Sequence, residues 1–485
     1  MRPNTAVPIG TPSTSTVPNG TVSNGTVSNG TVSNGTVSNS ASSVFDELES
    51  EVRSYCRSWP AMFTTAAGST LHAEDGRSYL DFFAGAGALN YGHNHPVLLE
   101  ALIDYLRSGG VVHSLDMHTA AKREFLTTFR DRILTPRDLD YKVMFPGPTG
   151  TNSVESALKL ARKVTGRQHI LSFTNAFHGM TLGALAVTGN SMKRNGAGLP
   201  LTNSSKIPYD DYFSGATEDF LWLERVLGDS GSGVDKPAAI IVESVQGEGG
   251  LSAARPEWLR ALSELCRAHE ILLILDDVQA GCGRTGDFFS FEEAGITPDI
   301  VCLSKSISGF GLSMALTLIR PDLDQWEPGE HNGTFRGQNT SFVTGTAALN
   351  EFWSDDTFAA SVRERGAELH DGLTRIADGY EGSVVKGRGF LTGIKFADDS
   401  AASKIAAASY QRGLLVETSG PEDEVLKTMP ALTITSDELR SGVDIIAAAA
   451  AEVLGAPVIS DTAQSGTGQS GTGQDGNRPR GEEDK

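Results

Sequence analysis

The feature that most constrains this chain is a series of short apolar runs alternating with helical spacing through its middle. KVMF (142–145), HILSF (169–173), AAIIVES (238–244), ILLILDD (271–277) and DIVCLS (299–304) read as strands with few polar positions. A helix is expected to begin near Ser153 as SVESALKLARKV, and RPEWLRALSELCRAHE (255–270) has helical spacing between two of the strands. A strand that is apolar throughout must be covered on both faces, and strands joined in parallel need crossover connections, usually helices. The pattern therefore predicts an α/β fold, a mostly parallel central sheet with helices on both faces. Farther on, Thr435 and Glu438 have the spacing of a capping box ahead of a helix through SDELRSGVDIIAAAAAEVL.

Open α/β sheets bind ligands beyond the carboxyl ends of their strands, so the residues standing there carry the functional argument. Lys305 ends the run VCLS and precedes the glycine-rich SISGFG. It is either an ordinary surface lysine or an amine held where it loses its proton and attacks a carbonyl. Asp276 and Asp277 close ILLILDD. A carboxylate at that point could bind a metal, act as a base, hold a cationic ring nitrogen or merely start a turn. In GPTGTNSVES, Thr149, Gly150, Thr151 and Asn152 run into a helix N-terminus, which is a phosphate cradle or a plain cap. The segment is neither G-x-x-x-x-G-K-[ST] nor G-x-G-x-x-G, so neither a nucleoside triphosphate nor a dinucleotide is indicated. Pyridoxal 5'-phosphate needs all three features at once, for its phosphate, its pyridine nitrogen and its aldehyde.

Bulk properties narrow the setting. The 485 residues, 39% hydrophobic, suffice for two or three domains. A net charge of −20 argues against nucleic acid or an anionic membrane as partner. No apolar run is long enough to span a membrane, and the N-terminus lacks the apolar core of a signal peptide. Cys56, Cys266, Cys282 and Cys302 form no CxxC pair. A soluble cytoplasmic protein is expected. Residues 1–43, with the repeated unit NGTVS, and the tail 457–485 read as disordered. The N-G-T sequons at Asn19, Asn24, Asn29 and Asn34 are read as accidents of the repeat, as are those at Asn332 and Asn339.

The blocks LDFFAGAGALNYGHNHP, GPTGTNSVESALKLAR, AFHGMTLGALAVTG, VESVQGEGG, LDDVQAGCGRTG, LSKSISGFG and GEHNGTFRGQN, taken together, resemble the class III (ω-amino acid) aminotransferases. The resemblance covers residues 44–456. It implies a fold type I pyridoxal-phosphate-dependent transferase, with a large cofactor-binding domain (111–340) and a smaller α/β domain from residues 44–110 and 341–456. It implies that Lys305 forms the Schiff base and shuttles the proton, and that Asp276 keeps the pyridine nitrogen protonated. Gln279 would hydrogen-bond the phenolic oxygen, Gly150 and Thr151 would bind the phosphate, and Phe177 would stack on the ring. Thr334 would reach the phosphate from a neighbouring subunit, implying a homodimer or higher homo-oligomer with shared active sites. Asp277 stands where the family usually has glutamate, and its role is left open. By the same resemblance His93 and His95 belong to a structural turn rather than to an H-x-H metal pair. His178, beside Phe177, either touches the cofactor's surroundings or is scaffolding, and scaffolding is the reading taken. Cys282 and Cys302 read as buried apolar residues.

Within the family, LDFFAGAGALNYGHNHPVLLEALIDYL, HSLDMHTAAKREFL, GPTGTN, AFHGMTLGALAVTGN and EHNGTFRGQN are most similar to the branch that makes diaminobutyrate for ectoine synthesis. The implied ping-pong reaction moves the amino group of L-glutamate to L-aspartate 4-semialdehyde, giving 2-oxoglutarate and L-2,4-diaminobutyrate. Diaminobutyrate could also feed a siderophore or a peptide antibiotic. Rival assignments are a transaminase for ornithine, 4-aminobutyrate or a related diamine, a non-transaminating relative of the same fold, and a non-catalytic binding protein. For substrate binding the resemblance points to Glu243 paired with a C-terminal arginine, but Lys427 occupies that second position. Lysine cannot grip a carboxylate in bidentate fashion.

Overall fold

The apolar runs become strands of one seven-stranded sheet in the computed structural model, which describes residues 42–213 and 220–457. The strands are β1 (Lys142–Met144), β2 (Ile170–Phe173), β3 (Ser204–Ile207), β4 (Ala239–Val242), β5 (Leu272–Asp276), β6 (Ile300–Leu303) and β7 (Leu316–Ile319). Their order is β1-β7-β6-β5-β4-β2-β3. All neighbours from β6 to β3 pair in parallel, whereas β7 runs antiparallel to both β6 and β1. β1 therefore points the same way as the parallel strands, and six carboxyl ends share one edge. β3 and β7 had no counterpart among the expected strands. β3 (SSKI) is an edge strand, where polar residues discourage further pairing.

Alternation along each strand divides two cores. Leu171, Ile240, Leu273, Leu275 and Val301 face the side covered by Phe125, Phe129, Trp258 and Leu262. Ile170, Ala239, Ile241, Ile274 and Ile300 face the side covered by Val154, Ala157, Leu158 and Ala161. The second set comes from the helix Gly150–Thr165, which starts three residues before the expected Ser153. Asn152 explains the early start, because its side-chain oxygen accepts from the Thr149 N–H at 3.2 Å and the Thr149 hydroxyl at 2.8 Å.

Residues toward the C-terminus form an antiparallel sheet in the order Val384–Arg388, Leu391–Lys395, Val425–Thr428, Glu417–Ser419. The helices Thr357–Ala377, Ala401–Gln411 and Ser436–Leu454 share an apolar core with it. The last begins at the expected capping box: the Thr435 hydroxyl accepts from the Glu438 N–H at 3.2 Å, and Glu438 Oε2 accepts from the Thr435 N–H at 2.9 Å. A smaller sheet joins Ser78–Asp81 in parallel to Leu414–Leu415, so chain far apart in sequence meets there.

Of the described residues, 42–55 belong to a unit of their own, in which the helix Ser42–Leu48 begins inside the expected disordered arm. Apart from residues 42, 43 and 457, the arm and tail lie outside the described residues. Among the described residues no helix is long and apolar enough to cross a membrane.

Candidate active site

The carboxyl edge of the large sheet delivers its side chains to one cavity of about 330 Å³, lined by Gly150, Thr151, Phe177, Asp276, Gln279 and Lys305 among others. Asp276 ends its strand, and the others arrive from the loop or helix that follows one. Lys305 opens a single helical turn, Lys305–Ser308, with φ +51°. That left-handed backbone costs a residue with a Cβ about 1–2 kcal/mol, and its neighbours hold it in place. Ser304 Oγ donates to the Met314 carbonyl at 2.9 Å, and Ser306 Oγ donates to the Gly87 carbonyl at 2.8 Å. Burial pushes the Lys305 amine down to about 8, toward the unprotonated form that a nucleophile needs.

Asp276 is 5% exposed at the end of β5. Its Oδ2 accepts from His178 Nδ1 at 2.7 Å and its Oδ1 from the Val278 N–H at 3.2 Å. His178 is thus more than scaffolding, since it orients the carboxylate. The Phe177 N–H donates to Glu243 Oε2 at 2.9 Å, which fixes the loop carrying both residues. Burial, reinforced by the charge of Asp276, raises the Glu243 carboxyl well above the usual range.

These donors fit pyridoxal phosphate group by group. The first turn of the helix Gly150–Thr165 offers backbone N–H groups and a positive helix end to a phosphate. Gly150 is needed there because a Cβ would come within 2.8 Å of Val278 Cγ1. Asp276 supplies a buried anion for a protonated ring nitrogen, and Lys305 an amine for the aldehyde.

The other end of the cavity is organised by charge, and here the expected pairing is corrected. Lys427 faces Glu248, not Glu243: Lys427 Nζ lies 2.9 Å from Glu248 Oε1 and 3.0 Å from Glu417 Oε1. Glu243 is occupied with the Phe177 backbone instead. Glu417 and Lys427 sit directly opposite in the register of the antiparallel pair Glu417–Ser419 and Val425–Thr428. Lys427 is wholly buried. Burial alone would lower its ammonium, but the two carboxylates outweigh that and raise it. Burial opposes ionisation of Glu248, yet Lys427 and then Lys305 hold its carboxyl down to about 2. One lysine cannot neutralise two anions, and burial leaves the Glu417 carboxyl raised. Gln279 joins this group, with its Oε1 3.3 Å from Lys427 Nζ and its Nε2 3.3 Å from Glu248 Oε1. Gly247 makes room for it, since a Cβ there would overlap Gln279 Oε1. Glu248 and Glu417 were both missed as site residues. Glu248 lay in plain view in QGEGG, and Glu417 becomes visible once it is set across a strand from Lys427.

Other expected residues fall outside the cavity. Thr334 opens the short turn Thr334–Arg336 and is exposed, away from the residues that line this chain's cavity. Asp277 turns to accept from the Ser290 N–H at 3.1 Å, and burial raises its carboxyl to about 7. His93 Nε2 lies 2.8 Å from Asp81 Oδ2, while His95 precedes the helix Pro96–Arg107. Burial raises the thiols of Cys282 and Cys302, consistent with packing residues. Asn339 is fully buried and accepts from Thr119 Oγ1 at 2.8 Å, so its sequon is inaccessible in this fold.

Comparison with known proteins agrees with this geometry. The family model described as aminotransferase class-III matches residues 54–450. The chain is 62% identical over 408 residues to a diaminobutyrate–2-oxoglutarate transaminase of Nocardia farcinica, covering 84% of this chain and 94% of that one. It is 61% identical over 413 residues to the transaminase of the same description from Streptomyces coelicolor, covering 84% and 98%. Among solved structures, an ornithine aminotransferase from Toxoplasma gondii superposes with a TM-score of 0.72 at 25% identity, covering 85% of this chain and 94% of that chain. An aminotransferase of Bacillus anthracis shares the fold, with a TM-score of 0.74 at 21% identity, covering 85% and 98%.

Proposed function

The chain belongs to the class III aminotransferases, pyridoxal-phosphate-dependent enzymes of fold type I, and from that premise we propose that it moves the amino group of L-glutamate to L-aspartate 4-semialdehyde. The products are 2-oxoglutarate and L-2,4-diaminobutyrate. The observation that carries the chemistry is Lys305, an amine lowered to about 8 on the same cavity as Asp276 and the N-terminus of the helix Gly150–Thr165. The substrate pair is supported by relatives at 61–62% identity whose names specify diaminobutyrate and 2-oxoglutarate.

When bound, pyridoxal phosphate supplies the electron sink that lets an amino group be stored and passed on. The protein supplies the rest. Asp276, oriented by His178, would hold a positive charge on the ring nitrogen. The first turn of the helix Gly150–Thr165 would anchor the phosphate through Gly150 and Thr151. Lys305 would carry the cofactor and then move a proton at the reacting carbon. Phe177 would pack on the ring and Gln279 would meet its phenolic oxygen. Lys427 and Glu248 form the switchable charge pair that meets one substrate's carboxylate and not the other's.

The same reading makes the enzyme a homo-oligomer of at least two subunits. The exposed position of Thr334, off its own cavity, is what a residue serving a neighbouring site would have. Residues 44–110 and 341–456 would form the smaller domain beside 111–340, the location would be cytoplasmic, and the product would enter ectoine synthesis. The test is a half-reaction. Glutamate, diaminobutyrate, ornithine and 4-aminobutyrate are added separately to the purified holoenzyme, and loss of its visible absorption band is followed. Fast bleaching by the first two only is expected; a preference for either of the others would overturn the substrate assignment.

A further inference from the structure

A second cavity, of about 400 Å³, lies beside the edge strand β3. Arg162, Gln168, Leu182, Leu199, Leu201 and Asn203 line it, and it shares no lining residue with the first cavity. Gln168 and Asn203 stand just ahead of β2 and β3, at the amino edge of the sheet, whereas Asp276 and Lys305 hold the carboxyl edge. The transamination chemistry makes no use of it.

The charges of this cavity suit an anion. Arg162 belongs to the last turn of the helix Gly150–Thr165, and its Nε donates to the Gln168 carbonyl at 2.9 Å. That bond sets the plane of the guanidinium, and among the described residues its two terminal nitrogens have no partner. Lys206 stands behind the wall rather than on it, donating to the carbonyl of Ala186, a lining residue. Burial, and then the charge of Arg194, bring the Lys206 amine down to about 8. Arg194 Nε donates to the Gly189 carbonyl at 3.1 Å. Among the described residues neither Lys206 nor Arg194 has a carboxylate partner.

The carboxylate whose charge reaches Arg162 is Glu155, and it is engaged elsewhere. Its Oε1 accepts from Thr181 Oγ1 at 2.6 Å, from the Gly183 N–H at 2.9 Å and from the Ala184 N–H at 3.1 Å. Three cationic side chains less one carboxylate leave two positive charges uncompensated. In a chain with 60 acidic and 40 basic residues, that surplus runs against the average.

A guanidinium offers paired N–H donors that match two oxygens of one carboxylate or phosphate. Two uncompensated charges favour the phosphate, because a phosphate monoester is close to a dianion at neutral pH. Leu182 and Leu199, each 51% exposed, join Leu201 in an apolar wall that gains by covering hydrocarbon.

We propose that this cavity is a second ligand site, in which Arg162 grips the phosphate of a monoester and the leucines cover its apolar organic part. The site is distinct from the cofactor's phosphate cradle, and the proposal holds whichever amino donor the enzyme takes.

The experiment titrates phenyl phosphate and inorganic phosphate separately into holoenzyme, whose cofactor already fills the cradle, and follows binding by calorimetry. Wild type should bind phenyl phosphate saturably, and more tightly than inorganic phosphate by about tenfold or more, since covering the ring adds to the affinity. Arg162→Gln should weaken phenyl phosphate by about tenfold to a hundredfold. Arg162→Lys should recover only part of that, having lost the paired donors. Leu199→Asp leaves the Arg162–Gln168 bond intact and sets a negative charge in the wall, and it should weaken binding as well. All three variants should keep the visible band and the glutamate turnover of wild type. No saturable binding to wild type, equal affinity for the two probes, or unchanged affinity in both Arg162→Gln and Leu199→Asp would overturn the proposal. Competition between phenyl phosphate and glutamate in steady-state turnover would also overturn it, by placing the probe in the first cavity.

Discussion

The two ends of the cavity are built differently. At the cofactor end each group is held by local hydrogen bonds of its own. Asp276 is the last residue of β5 and is held by His178, while Lys305 follows β6 in a turn tied down by Ser304 and Ser306. At the substrate end Lys427, Glu248, Glu417 and Gln279 come from four separate stretches of chain and share their charges. The first arrangement suits a group that never leaves. The second suits two substrates that must be told apart by the same surface, because a shared lysine can change partners at little cost. Rigid anchoring and shared charge are thus placed where fixed and variable ligands respectively are met.

Substitutions should separate the two ends by kind of effect as well as by size. The largest is expected for Lys305→Ala, which removes nucleophile and proton carrier together and should lower transamination by about four orders of magnitude or more. Steady-state assay of 2-oxoglutarate release from glutamate checks it, and near-normal turnover would break the comparison at its firm end. Next comes the pH dependence of cofactor loading. Lys305 must be unprotonated to react, and burial brings its amine down to about 8. The rate at which apoenzyme regains its visible band should therefore rise about tenfold per pH unit below that value and level off above it. Levelling only near an ordinary lysine value would mean that Lys305 is not buried as described.

At the shared-charge end the effects should fall on stability first. Lys427→Met strands two buried carboxylates, an expected loss of about 3–5 kcal/mol, seen as a thermal midpoint lowered by several degrees. The smallest effect belongs to Glu417→Gln. The folded state raises this carboxyl above its unfolded value, so wild type is penalised as pH rises from the ordinary carboxylate range through the folded value. Glutamine does not titrate, and the variant should gain on wild type over that rise. Thermal midpoints across that pH range check the sign: a variant that instead falls behind would show Glu417 to be a needed counter-ion.

The same contrast explains what could be read from the chain. Strands buried on both faces betray themselves as unbroken apolar runs, so the sheet, its carboxyl edge and the residues ending β5 and β6 were legible. Local chemistry also gave the Thr435–Glu438 cap. The helix at Gly150 was placed three residues late because its cap depends on Asn152 bending back to Thr149. The substrate end was misread at one point, Glu243 for Glu248. Both glutamates follow β4 within six residues, and only the path of the intervening loop, pinned by the Val245–Ala253 bridge, decides which faces Lys427. Glu417 needed the strand register, and His178 needed the loop that turns its ring under Asp276. The cap at Asn152 is local, but the other three depend on chain distant in sequence.

The most direct test of the account is to trap the lysine that holds the cofactor. Holoenzyme is reduced with borohydride, with and without prior exposure to glutamate, then digested and mapped by mass spectrometry. The account predicts a pyridoxyl group on the peptide containing Lys305, and its loss when glutamate has first taken up the cofactor's reactive carbon. A label on Lys427, or labelling of Lys305 that glutamate leaves unchanged, would contradict it.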